Sequence, residues 1–280
     1  MLLGLSSSLR HENAKDWAKK MKDLGCGCVN FPINCDAPDH VIADYADAAR
    51  DAGLLIAEVG IWRNVFAIDP AEREEARRFA LGQLRLADEI GARCCVNVMG
   101  TYGGPVWDGG YRENFTKECW DLSVAYTKSL IDQVKPERTH YTVEPMPWMI
   151  PTGPDECLRL RDAVDREAFA IHLDVVNMIN CPERYFFADE FLEECFDKLG
   201  PIIESCHLKD IRLSTELTFQ LIETFCGDGV LNIEKYIALI DQYDPGMPVI
   251  IEHLNTDEEY LASLQYVKER LVKAGLSGKT

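Results

Sequence analysis

HYTVEPMPWMIPTGPDECLRLRDAVDREAFAIHLD, residues 140–174, holds one strand, one helix and the strand that follows. HYTVE (140–144) is short and rich in β-branched and aromatic residues, which predicts a strand. Residues 154–166 then carry apolar groups at helical spacing, and FAIHLDVV (169–176) is a second strand run. The first run closes on Glu144 and the second reaches Asp174, so equivalent strand ends carry a carboxylate.

The same alternation extends in both directions. Upstream strands are expected at LLGLSSS (2–8), CVNFPI (28–33), LLIAEVGI (54–61) and RCCVNVM (93–99); downstream ones at ESCHLK (204–209) and PVIIEHL (248–254). Amphipathic helices are expected over 12–24, 39–52, 71–90, 112–134, 154–166, 188–199, 232–242 and 257–274. Asp69-Pro70 opens the third helix, and Gly25, Gly53, Gly91 and Gly200 stand at helix stop positions. Strand and helix alternating eight times without a linker predicts an α/β fold: a single (β/α)8 TIM barrel over residues 1–280. A doubly wound sheet is the competitor, but SSSLRHEN after the first strand lacks the Gly-rich turn such sheets place there.

Side-chain parity locates the site. Along a strand, successive side chains point to opposite faces. Tyr141 and Val143, Ile171 and Leu173, Cys206 and Leu208, and Val249 and Ile251 form the apolar sets, which should meet the helices. The opposite sets then face the barrel axis: Thr142 and Glu144; His172 and Asp174; Ser205, His207 and Lys209; Ile250 and Glu252. Glu144, Asp174, His207 and Glu252 therefore converge at the C-terminal rim, where barrel active sites form. They lie about one βα unit apart, roughly 30 residues or more, so adjacent strands supply one each.

Three carboxylates and one imidazole favour a hard or borderline divalent cation with open positions. Mn²⁺ or Mg²⁺ fits best, with Co²⁺, Zn²⁺ and Fe²⁺ as alternatives. An ion chelated by a carbonyl and its neighbouring hydroxyl stabilises an enediolate as a proton leaves carbon, and two flanking carboxylates can serve as base and acid.

Composition narrows the partners. Forty-seven acidic against 29 basic residues give a net charge of −18, which repels polyanions and excludes nucleic acid as an expected partner. The 11 cysteines are odd in number and fall mostly within apolar strands and helices. They are expected to be buried reduced thiols, which suits a cytoplasmic protein. A first strand opening at Met1 leaves no room for a leader, and no apolar run is long enough to span a membrane.

Four motifs, V-E-P (143–145), H-L-D (172–174), H-L-K-D (207–210) and I-I-E (250–252), together with the turn G-D-G-V-L-N (227–232), resemble the xylose-isomerase-like superfamily of sugar isomerases and epimerases across nearly the whole chain. The resemblance implies that Glu144, Asp174, His207 and Glu252 bind the metal, and that Glu144 and Glu252 exchange protons with a small carbohydrate. It also implies a homo-oligomer paired through helices or rim loops. One position departs: many family epimerases carry His three residues after the metal-binding Asp, where this chain has Asn177. Asn donates a hydrogen bond but carries no proton near neutral pH. The superfamily also contains lyases that expel an aglycone from 3-keto-glycosides by β-elimination, some with a small partner subunit, and that outcome is the runner-up. A zinc-cluster endonuclease would need more His than the six present. A sugar-binding barrel without catalysis is the reading from another class.

Around the quartet, His172 is expected to support a ligand from one layer deeper. Asn177 and Glu58 are expected to hold substrate oxygens, with Glu58 sharing a strand face with Ile56 and Gly60; Lys209 is expected to hold a substrate oxygen or to form a rim salt bridge. Trp62, Trp107 and Trp148 follow the third, fourth and fifth strands and either suit the C–H face of a sugar at the barrel mouth or pack its loops. Asp210 should point away from His207 toward the long loop 210–231.

Overall fold

The computed structural model describes residues 1–276; residues 277–280 of the expected domain lie outside the described residues. In chain order the strands are β1 (Leu2–Leu5), β2 (Cys28–Asn30), β3 (Leu55–Gly60), β4 (Cys94–Val98), β5 (His140–Glu144), β6 (Phe169–Leu173), β7 (Ile203–Leu208), β8 (Asp210–Leu213), β9 (Leu221–Thr224) and β10 (Pro248–Ile251). Eight of them form one sheet in the order β1-β10-β7-β6-β5-β4-β3-β2, and neighbours run parallel. The sheet curls until its first and last strands meet, where the Gly27 N–H donates to Leu3 O at 2.9 Å. Gly4 permits this approach: a Cβ there would sit 2.4 Å from the Cys28 carbonyl oxygen. The fold is thus the expected (β/α)8 barrel.

Most helices lie where periodicity placed them. Asp69 caps the helix Pro70–Ile90 through the N–H groups of Ala71 and Glu72, and Thr256 and Glu259 form a capping box on Asp257–Lys273. Gly25, Gly53 and Gly91 adopt positive φ after their helices, but Gly200 does not: at φ −40° it continues into the 3-10 turn Gly200–Ile202. The expected helix 112–134 is divided, because Thr116 is extended and caps Lys117–Val134 through the Cys119 N–H, leaving Arg112–Phe115 as a separate 3-10 turn.

The strands stop earlier than their apolar runs. Val175 and Val176, expected in the sixth strand, belong to a short helix Val175–Met178. The loop 210–231 contains an unforeseen antiparallel hairpin, β8 with β9. Asp210 does point into that loop. Its carboxylate accepts from the N–H groups of Ile211 and Leu231 (2.8 and 2.9 Å) and of Gly227 and Gly229 (3.0 and 3.1 Å).

Parity holds for β5, β6, β7 and β10. Tyr141, Val143, Ile171, Leu173, Cys206, Leu208, Val249 and Ile251 pack in the core between sheet and helices, while Ile250 packs inside the barrel with Cys28 and Ala57. β3 breaks the pattern. Val29 pairs with Ile56 but Asn30 pairs with Glu58, so Ala57 is skipped in a bulge. Ile56 therefore faces the helices while Glu58 faces inward, correcting the expectation that they share a face. All 11 cysteines are free thiols, and all but Cys35 and Cys181 are buried. No helix among the described residues is long and apolar enough to cross a membrane.

Candidate metal centre

Glu144 ends β5, Asp174 follows β6, His207 lies near the end of β7 and Glu252 follows β10. Each offers one ligand atom, and these atoms all lie within 4.8 Å of one another. All four side chains are buried. His207 Nδ1 stands between the two glutamates, 2.9 Å from Glu252 Oε2 and 3.4 Å from Glu144 Oε1. Its carbonyl is fixed from outside the barrel by the Tyr236 hydroxyl at 3.0 Å. Asp174 caps the short helix after its strand, taking the Asn177 N–H on Oδ1 at 3.0 Å. Its Oδ2 is left to face the other groups.

Lys209 completes the cluster. Its ammonium, 1% exposed, lies 2.9 Å from both Asp174 Oδ2 and Glu252 Oε1 and 3.0 Å from Glu223 Oε1. Of its two expected roles, substrate contact or rim salt bridge, the structure shows the salt bridge, to Asp174 and Glu252. Asn177 is likewise drawn in, donating through Nδ2 to Glu144 Oε1 at 2.8 Å.

This crowding drives protonation apart. Burial pushes Glu144 up to about 7, against the pull of His207 and with help from Glu252 and Asp174. Burial also raises Glu252, but the charges of His207 and Lys209 prevail and hold it well below the usual carboxylate range. For His207 burial alone would favour the neutral ring, yet Glu252, Glu58 and Glu144 hold it well above the usual imidazole range. His172, buried beside the His207 charge, is held well below that range. The donors present fit a divalent cation. Four buried carboxylates, counting Glu58, face one ammonium and His207, and three oxygens with one nitrogen suit a hard or borderline ion.

Above the quartet opens a cavity of about 280 Å³, lined by both glutamates and His207 and walled by Ser6, Asn30, Trp62, Trp107 and Met146 among others. Trp62 stacks over His207 with ring centroids 6.2 Å apart. It does so from a left-handed conformation, φ 48°, that folds the indole back across Gly60. Trp107 reaches the cavity, but Trp148 does not line it. Its Nε1 donates to Asp108 O at 2.6 Å and its ring rests on Gly110, so it braces the loop instead. Glu58 lies beneath the quartet, fully buried, 3.4 Å from His207 Nε2. His172 is one layer deeper, as parity placed it, with Nδ1 2.5 Å from Ser205 Oγ.

Sequence reasoning missed Glu223 and His253. Glu223 arrives on β9, part of the hairpin read as loop, and lies 3.0 Å from His253 Nδ1. His253 directly follows Glu252 and takes a positive φ of 55°, which swings its ring back over the rim. Its position beside a rim glutamate was the available signal.

The sequence profile described as xylose isomerase-like TIM barrel matches residues 18–270, and the chain belongs to that family. Solved structures share the fold at low identity. A xylose isomerase-like TIM barrel protein from Mycobacterium smegmatis, in complex with magnesium, is 18% identical with a TM-score of 0.69, over 94% of this chain and 90% of that one. A D-psicose 3-epimerase from Clostridium cellulolyticum H10, with D-tagatose, is 14% identical with a TM-score of 0.69, over 97% and 99% of the two chains. The 3-keto-D-glucoside 4-epimerase of E. coli is 14% identical with a TM-score of 0.68, over 96% and 99%. A search of curated proteins returns no match.

Proposed function

We propose that this chain, a single barrel domain over residues 1–280, is a divalent-metal-dependent sugar isomerase or epimerase acting on a keto-sugar or related small carbohydrate. The observation that carries the reading is the convergence of Glu144, Asp174, His207 and Glu252 within 4.8 Å beneath a small open cavity. These four would hold the ion, with Mn²⁺ or Mg²⁺ the best match to the donor set. When bound, the ion withdraws electron density from a substrate carbonyl and so acidifies the neighbouring C–H. Family membership supports the reading, as do fold relatives whose names include sugar epimerases and a magnesium complex.

The glutamates divide the proton work. Glu144 lines the cavity and is placed to give and take the substrate proton. Glu252 is ionised and stands on the other side of the His207 nitrogen. Asn177 holds Glu144 in place through its amide. Trp62 and Trp107 offer apolar faces to the ring of a bound sugar and exclude water. Glu144→Gln and Glu252→Gln should each lower kcat by about 10²- to 10⁴-fold. Full activity in either variant would refute this division of roles.

The second reading keeps the proton abstraction and ends it by expelling an aglycone from a 3-keto-glycoside. The Asn177 amide on Glu144 favours it, since no proton-carrying His stands at that position. Release of a free aglycone from an oxidised glycoside, without interconversion of sugars, would select it.

A further inference from the structure

We infer that Glu58 is the positioning residue of the metal centre: it accepts a hydrogen bond from the Nε2–H of His207, keeps the proton on that nitrogen, and so reserves the Nδ1 lone pair for the ion. The inference rests on the quartet being a metal site. A neutral imidazole has one N–H and one lone pair, and the group facing one nitrogen decides the role of the other. In this barrel the two nitrogens of His207 face different layers. Nδ1 meets Glu252 Oε2 at 2.9 Å and Glu144 Oε1 at 3.4 Å, while Nε2 meets Glu58 Oε1 at 3.4 Å.

The backbone is built for this contact. The bulge at Ala57 places Ala57 and Glu58 on the inner side in succession, and bulges beside active sites re-aim side chains. Without it, parity would send Glu58 to the helix side whenever Ala57 faced inward. His172 lies below Glu58 without hydrogen-bonding it. Glu58 Oε2 lies 3.6 Å from His172 Nδ1, which is 2.5 Å from Ser205 Oγ, itself 3.1 Å from Cys94 Sγ. His172, Ser205 and Cys94 below it are fully buried, so the one open side of Glu58 is the cavity it lines beside His207.

The same side chains admit a different arrangement, because Glu58, His172 and His207 also form a compact donor group. A second ion there would need His207 to coordinate through both nitrogens as an imidazolate. A carboxylate accepting an N–H avoids that deprotonation, and this decides for one ion per chain.

The test is metal titration of the intact protein and of Glu58→Gln and Glu58→Ala, with ¹⁵N-histidine NMR of the Zn²⁺-loaded wild type. Zn²⁺ should bind at one ion per chain, with Nδ1 of His207 coordinated and the proton on Nε2. Affinity should fall about 10- to 100-fold in Glu58→Ala and less in Glu58→Gln, whose amide oxygen still accepts the N–H. Unchanged affinity in both variants, a proton on Nδ1, or two ions per chain would overturn the inference; the NMR arm stands even if Glu58→Ala fails to fold. A wild type that binds no ion, or one whose affinity survives Glu252→Ala, would instead refute the metal-site reading itself.

Discussion

Asn177 donates to Glu144, and Glu144 is pushed up to about 7. His207, among three carboxylates, is held well above its usual range. Both shifts favour the protonated forms of His207 and Glu144. A cation that takes these groups as ligands must expel those protons. The sign is fixed: protons and metal compete, so affinity rises with pH and weakens as pH falls below about 7. Calorimetry at pH 7 in buffers of different ionisation enthalpy should show net release of protons as the ion binds. A binding enthalpy independent of buffer would show that His207 and Glu144 are not ligands. At this scale the sequence was most legible where one rule acted alone: Glu144, Asp174, His207 and Glu252 followed from parity at strand ends. Lys209 was placed on the correct face but its partners were not visible, since they depend on the carboxylates of other strands.

Two elements shape the mouth. In β3, Gly60 makes room for Trp62; a Cβ there would lie 2.0 Å from the indole Nε1. Gly60→Ala should force the indole off His207 while the strand persists. KM should rise about 3- to 10-fold, the worth of one aromatic contact, with an unchanged circular dichroism spectrum. No change in KM would mean that Trp62 plays no part in binding. The β8–β9 hairpin is hung on Asp210, whose carboxylate satisfies four backbone N–H groups. Asp210→Ala should cost roughly 3 kcal/mol or more in denaturant unfolding. It should also release Glu223 from Lys209 and His253, opening 214–220 to proteases. Unaltered stability and cleavage would show the hairpin to be held otherwise. The hairpin escaped the sequence because its turn chemistry is weak and its strands, Asp210–Leu213 and Leu221–Thr224, are short. The bulge in β3 escaped because Ile56, Ala57 and Glu58 read as plain alternation, and only pairing with Asn30 reveals the skipped residue. For Trp148 the choice between sugar face and loop packing was open in the sequence, because position after a strand fixes proximity to the mouth but not the direction of a loop side chain.

The barrel as a whole was legible because eight repeats of one supersecondary unit leave few topologies, and because helix caps such as Asp69 and Thr256 agree with the hydrophobic pattern. Its closure rests on contacts between ends of the sheet, Gly4 against Cys28, that no local pattern encodes. The assembled molecule directs a buried quartet of three carboxylates and one imidazole, together with two tryptophans, at one small cavity. The proposed function turns on one chemical event there, removal of a proton from a carbon beside a carbonyl. It is read most directly by proton NMR in D₂O, with Mg²⁺-loaded protein and a panel of ketoses and 3-keto-glycosides. The account predicts that deuterium enters one substrate at a single carbon next to its carbonyl, and that Glu144→Gln and Glu252→Gln suppress the exchange. A substrate converted without any solvent deuterium at carbon, or exchange undiminished in both variants, would contradict it.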